Sequence, residues 1–81
     1  MNKSLDEIHP AEILTKEFLA PRGITPEQLV VMLGWPESYL VELLSESLAI
    51  TDDIALSLGL FFNMDAKFWS NLQTEFDRRT N

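Results

Sequence analysis

The chain has 81 residues, a net charge of −7 and no cysteine. This length accommodates one small domain, and the lack of cysteine excludes disulfides and thiolate metal sites. No apolar run reaches the roughly 18 residues that a membrane span needs, and the N-terminus lacks a signal-peptide pattern. We therefore expect a cytoplasmic protein that needs no cofactor and no metal.

Turn-forming residues divide the sequence into an arm over residues 1–9 and a single domain over residues 10–79. The first predicted helix covers about 10–20. It begins at Pro10, whose missing N–H suits a first helical turn, and it is followed by a Pro-Arg-Gly stop. Its apolar residues recur at helical spacing: Ile13, Leu14, Phe18 and Leu19.

The second and third helices are predicted over about 25–33 and 36–45. Thr25 and Gln28 form the pattern of a capping box, and Gly34 ends the second helix in the left-handed conformation. The side chains that we expect to face inward are Leu29, Met32, Leu33, Leu40, Leu43 and Leu44.

The fourth and fifth helices are predicted over about 51–62 and 65–78. Thr51 and Asp65 stand where N-caps are needed. The predicted apolar stripe of the fourth helix is Ala55, Leu58, Phe61 and Phe62, and that of the fifth is Phe68, Trp69, Leu72 and Phe76. No segment shows sustained strand alternation, so the sequence predicts an all-α, five-helix bundle.

The second and third helices, joined by a tight turn, form the pattern of a DNA-binding helix-turn-helix. Many helical hairpins share this pattern, and the flanking segments are more specific. The segment HPAEIL over 9–14, with EFL at 17–19 and a proline at 21, resembles the opening of HigA/VapI-type antitoxins. The segment FWSNLQ over 68–73 resembles their closing motif, so the chain is similar to this family from residue 9 to about residue 77.

The resemblance implies a lambda-repressor-like (Xre) fold and a specific biology. Such proteins form homodimers, bind palindromic operators through the third helix, and neutralise a RelE/HigB-like ribonuclease toxin. This chain departs from the family pattern where the family usually carries Arg, Lys or Gln. Pro26 begins the second helix, and the third helix contains acidic residues and no basic one.

The charge is distributed unevenly along the chain. No Lys or Arg lies between Gly23 and Ala66, whereas that stretch holds seven acidic residues. An ordinary solvated acidic surface would explain the composition, but the position of the acids also matters. Protein affinity for DNA comes largely from cations at phosphates, and acids on the reading helix oppose it.

We predict that the recognition-helix face consists of Glu37, Ser38, Tyr39, Val41, Glu42, Ser45 and Glu46. Three acids on that face favour an antitoxin that binds a protein, such as a basic ribonuclease toxin, with weak or lost DNA binding. The alternative is a conventional antitoxin that also represses its own operator. A lower-ranked hypothesis is a DNA mimic that occupies another protein's DNA-binding surface.

Two apolar sets are candidate protein contacts. The first is a candidate protein-binding patch of apolar residues, most of them at positions that are usually polar in the family. Its members are Val31, Trp35, Tyr39, Leu48, Ile54 and Leu60. The second is a candidate dimer or toxin contact on the fifth helix, and its members are Phe68, Trp69, Leu72 and Phe76. For both sets the alternative is burial in the core.

The sequence gives no support for an enzyme. His9 is the only histidine, and its place at a helix start favours a capping role. No cluster has metal-ligand spacing and no glycine-rich phosphate loop occurs. Neighbouring acids such as Asp52 and Asp53 diverge on a helix and do not form a catalytic pair.

Overall fold

The computed structural model describes residues 8–80, and these residues form the predicted all-α bundle with no strand among them. Most of the predicted arm over residues 1–9 lies outside the described residues. The first helix, α1, begins over Pro10–Ile13, continues as a π-helical stretch over Leu14–Leu19 and ends as a 3-10 turn over Ala20–Arg22. The other helices are α2 (Pro26–Leu33), α3 (Glu37–Leu44), α4 (Asp52–Phe62) and α5 (Ala66–Thr80).

The helix ends follow the capping residues in the sequence. The Thr25 hydroxyl accepts from the Gln28 N–H at 3.1 Å, and the Gln28 side chain accepts from the Thr25 N–H at 2.9 Å, which completes the predicted capping box. The Thr51 hydroxyl accepts from the Ile54 N–H at 3.3 Å. An Asp65 carboxylate oxygen accepts from the Lys67 N–H at 2.9 Å, so both predicted caps are present.

One hydrophobic core joins all five helices. The buried residues that form it are Ala11, Leu14, Leu19, Leu29, Leu43, Leu48, Ile50, Ile54, Ala55, Leu58 and Trp69. The helices α4 and α5 are packed closely where they meet. A Cβ on Gly59 would lie 2.8 Å from the Met64 carbonyl oxygen, so this approach requires glycine.

Two residues predicted to face inward are exposed. Met32 is 53% exposed, and Val30 is buried instead, because α2 turns its Leu29–Val30 side to the core. Leu44 is 58% exposed. Leu44 is the last residue of α3, and the loop that follows places Leu48 in the same core as Leu43.

Candidate nucleic-acid and partner interface

The turn between α2 and α3 holds the two helices in the helix-turn-helix arrangement. Gly34 takes the left-handed conformation, with φ of 67°, as its position after α2 predicted. The Trp35 N–H donates to the Val30 carbonyl at 3.0 Å, and the Tyr39 N–H donates to the Pro36 carbonyl at 3.0 Å. The Trp35 and Tyr39 rings contact edge-on with centroids 5.6 Å apart, which fixes the start of α3 against the end of α2.

The outward side of α3 carries carboxylates beside small and apolar side chains. We call it the α3 face; its exposed residues are Glu37, Ser38, Val41, Glu42 and Ser45. Val41 is 65% exposed in the middle of it. All five belong to the predicted recognition set, and α3 brings them together on one side.

Two residues of the predicted recognition set, Tyr39 and Glu46, do not lie on the α3 face. Tyr39 is half-buried against Trp35. Glu46 lies beyond the end of α3 in a left-handed conformation with φ of 58°, and its carboxylate lies 3.7 Å from Lys16 Nζ. The turn after α3 therefore directs Glu46 towards α1.

The two cations nearest in sequence to the α2–α3 hairpin, Lys16 and Arg22, are engaged by residues of α1, by Glu46 and by α4. Lys16 Nζ lies 3.3 Å from the Glu12 carboxylate as well as near Glu46. Arg22 donates to the Phe18 carbonyl at 3.0 Å, and its guanidinium lies 5.0 Å from the centroid of the Phe62 ring. These interactions hold the two cations against α1 and α4.

The predicted protein-binding patch is wrong as a single surface. Leu48 and Ile54 are only 1% and 3% exposed and belong to the core, because α4 turns its first apolar residue inward and the preceding loop follows it. Val31 and Leu60 are 79% and 77% exposed, but they lie on different helices, α2 and α4. Trp35 is half-buried.

The predicted contact on α5 is divided between the core and the surface. Trp69 is fully buried, and its ring centroid lies 4.7 Å from Phe18 and 5.9 Å from Phe62, so it cannot form a surface contact. Phe68 is 39% exposed. Leu72 is half-buried, so Phe68 is the most accessible of this set.

The comparisons with known proteins agree with this architecture. The Pseudomonas aeruginosa antitoxin HigA, solved with the higBA promoter, matches at a TM-score of 0.83 and 38% identity over 90% of this chain and 79% of that one. An addiction module antidote protein of the HigA family from Coxiella burnetii matches at a TM-score of 0.79 and 36% identity, over 90% of this chain and 79% of that one. The chain belongs to the HigA antitoxin family.

A curated relative extends the same result in sequence. Virulence-associated protein I of Dichelobacter nodosus is 41% identical over 70 residues, which are 86% of this HigA-family chain and 65% of that protein. The chain thus spans slightly less than two thirds of that relative's length. No family model matches the chain. These relatives are antitoxins or bear a virulence-associated name, and their names indicate no enzyme.

The motifs that indicated the HigA family are structural in this chain. His9 Nδ1 accepts from the Ala11 N–H at 3.0 Å and caps α1, and the His9 ring lies 4.7 Å from that of Phe76. Partial burial lowers the pKa of His9. Nearby carboxylates oppose this shift, and Asp77 has the largest opposing effect. The first and last helices are therefore joined through His9.

Sequence reasoning missed two features of the HigA-family domain. The Gln73 side-chain oxygen accepts from the Ile50 N–H at 2.8 Å and ties α5 to the loop before α4. A groove along α2 is lined by Ile24 and Met32 among others. The five consecutive apolar residues over 29–33 were a signal for it, because one helix face cannot bury all of them.

Within residues 8–80, no helix is long and apolar enough to cross a membrane. The same part of the chain has no group of three side chains of His, Asp or Glu placed to hold a metal ion.

Proposed function

We propose that this chain is an antitoxin that acts by binding a basic protein toxin, and that its binding to operator DNA is weak. The observation that carries the proposal is the α3 face, where Glu37 and Glu42 are exposed on the helix that would enter the major groove. No Lys or Arg occurs between Gly23 and Ala66 to offset them.

Elementary electrostatics gives the expected size of the effect. A carboxylate close to a phosphate costs on the order of 1–4 kcal/mol, depending on the local dielectric. Two such groups would remove much of the roughly 4–10 kcal/mol by which specific DNA binding exceeds non-specific binding. Because a glutamate can accept from cytosine N4, one acid on this helix is tolerable, but two acids without a nearby cation are difficult to offset.

A conventional repressor is the second candidate, and one observation favours it. The Pseudomonas aeruginosa HigA that shares this fold was solved with promoter DNA. At the start of α2 the N–H groups of Thr25 and Gln28 are engaged in the capping box and Pro26 has none, so the Glu27 N–H is the one left for a phosphate.

DNA binding at low salt separates the two candidates. We expect the wild-type chain to bind labelled DNA from upstream of its own gene no more tightly than DNA of scrambled sequence in fluorescence anisotropy. Glu42→Lys should tighten binding at least tenfold. Glu17→Lys makes the same charge change on α1, outside the hairpin, and should have a much smaller effect. Tight, sequence-specific binding by the wild-type chain would overturn the proposal.

Protein binding is tested with the product of the neighbouring gene. If that product is a basic toxin, we expect it to co-purify with the wild-type chain, and Glu37→Lys with Glu42→Lys to weaken the complex at least tenfold in calorimetry. Unchanged affinity would remove the α3 face from the toxin contact.

The homodimer implied by the family is also part of the proposal. Phe68 on α5 is the accessible apolar residue of the predicted contact. Light scattering measures the mass directly, and Phe68→Ser should shift a dimer towards the monomer. A monomer at high micromolar concentration would contradict this.

A further inference from the structure

An apolar groove runs along the outward side of α2. It has a volume of about 560 Å³ and is lined by Ile24, Glu27, Gln28, Val31 and Met32. Val31 is 79% exposed and Met32 is 53% exposed. Isolated exposed apolar residues are ordinary, but adjacent ones that line a concave surface indicate an interface.

This groove continues towards α3. A second groove of about 340 Å³ lies beside it, and Glu27 and Val31 line both. The second groove extends past the turn, where Trp35, Glu37 and Leu40 line it. The two form one continuous surface, which we call the α2 groove. Its lining combines apolar side chains with the carboxylates of Glu27 and Glu37.

We propose that the α2 groove binds a basic amphipathic helix of a protein partner. The inference rests on the protein-binding function proposed above and adds a location and a partner chemistry to it. A helix laid in a groove presents apolar residues at spacings of three and four, which would contact Val31, Met32 and Leu40. Lys or Arg on its flanks would meet Glu27 and Glu37.

Charge decides between possible occupants. No Lys or Arg lies between Gly23 and Ala66, so the groove offers carboxylates without competing cations from its own helices. A second copy placed with the same surface would bring Glu27 and Glu37 against identical acids, which is unfavourable. A nucleic acid would meet the same repulsion, and its phosphates would not bury the apolar side chains that line the groove. A cationic, amphipathic segment satisfies both features.

The α2 groove retains part of the candidate protein-binding patch predicted from the sequence. Val31 and Trp35 remain in the surface, and the buried Leu48 and Ile54 leave it. Leu60 belongs elsewhere, because it lies on α4 and lines neither groove. This separation supplies a control, since Val31 and Leu60 are 79% and 77% exposed and both can be replaced without disturbing the core.

The experiment uses the full chain and a fluorescently labelled, amphipathic helical peptide of leucine and lysine, followed by anisotropy. Two further peptides are compared, one with Glu in place of every Lys and one with the same composition in scrambled order. We expect the Leu/Lys peptide to bind at least tenfold more tightly than either of them.

Matched variants locate the binding site. Val31→Ser and Glu27→Gln should each weaken peptide binding at least fivefold. Leu60→Ser removes an equally exposed apolar residue, and Glu17→Gln removes an exposed acid on α1, so both should leave binding unchanged. Circular dichroism would verify that each variant is folded, and Met32→Ser is the alternative to Val31→Ser.

Several results would overturn the inference. Equal weakening by Val31→Ser and Leu60→Ser would show non-specific adhesion, and equal binding of the Glu peptide would refute the charge argument. A dimer that Val31→Ser dissociates would assign the groove to a second copy. These outcomes are independent of the DNA measurement, because Glu42 lines neither groove. The weak-DNA proposal can therefore stand when the groove fails, and the reverse also holds.

Discussion

The two parts of this domain differ in how they use their apolar residues. Where α1, α4 and α5 meet, Trp69 is fully buried among Phe18, Phe62 and Phe68. In the shorter α2–α3 hairpin, by contrast, three residues are buried, Leu29, Val30 and Leu43, and four large apolar side chains are exposed: Val31, Met32, Val41 and Leu44. The three helices of the first part expose only three: Leu56, Leu60 and Phe68. The family motifs lie in the first part, which fixes the fold, whereas the departures from the family lie in the hairpin, which would contact a partner.

The largest expected effect is the loss of Trp69. Trp69→Ala should lower the free energy of unfolding by about 3–5 kcal/mol, because it leaves a cavity among three aromatic rings. Trp35→Ala is the matched change in the hairpin and should cost less than half as much, because Trp35 is half-buried. Urea denaturation followed by circular dichroism measures both. Equal losses would refute the contrast between the two parts.

The indole of Trp69 sharpens the same test. Within residues 8–80, its Nε1–H is buried and has no hydrogen-bond partner, and an unpaired buried donor costs about 1–3 kcal/mol. Trp69→Phe removes that donor while retaining an aromatic ring. It should therefore restore most of the stability that Trp69→Ala loses.

The next effect concerns the approach of α4 to the start of α5. Gly59→Ala would place a Cβ 2.8 Å from the Met64 carbonyl oxygen and 3.0 Å from the Ala66 amide nitrogen. Since backbone must move to accommodate it, we expect a loss of about 1–3 kcal/mol. Leu60→Ala changes the adjacent, exposed residue and should stay within about 0.5 kcal/mol of wild type. A neutral Gly59→Ala would show that the two helices can separate without cost.

The fold was predictable because local signals and the family motifs agree. Thr25, Gln28, Gly34 and Thr51 each act through their own neighbours in sequence, so the helix ends could be placed without knowledge of the packing. The predicted family, with its helix-turn-helix fold, is confirmed by the HigA relatives.

The candidate surfaces were less predictable because burial depends on how helices rotate and pack. Helical spacing alone does not distinguish Met32 from Val30, or Leu44 from Leu48, and packing exposes the first of each pair and buries the second. The exposed acids of α3 could be placed because α3 is regular. Glu46 could not, since its position depends on a left-handed turn after the helix ends.

That turn provides a smaller test. Glu46 has φ of 58°, a conformation that costs an L-residue about 1–2 kcal/mol and costs glycine little. Glu46→Gly should therefore be about 1 kcal/mol more stable than Glu46→Ala, which keeps the strained conformation and loses the same carboxylate. Both lose the partly exposed contact with Lys16, so that contact cancels in the comparison. Thermal and urea unfolding check the difference, and equal stability of the two variants would refute strain at Glu46.

The smallest effect is the pH dependence that His9 contributes. Burial lowers the pKa of His9 below its ordinary value of 6.5, while the charges of Asp77, Glu46 and Glu12 oppose that shift. The unfolded chain therefore binds the proton more readily. The contribution of His9 to stability is complete above about pH 6.5 and is lost as the pH falls through the lower pKa of the folded state. His9 Nδ1 must also be unprotonated to accept from the Ala11 N–H.

The variant His9→Asn tests this pH dependence, because asparagine can cap a helix but does not titrate. Between about pH 8 and about pH 5, a range above the pKa of most carboxylates, His9→Asn should lose less stability than wild type. Identical pH profiles of unfolding would show that the stability of the domain does not depend on the protonation state of His9.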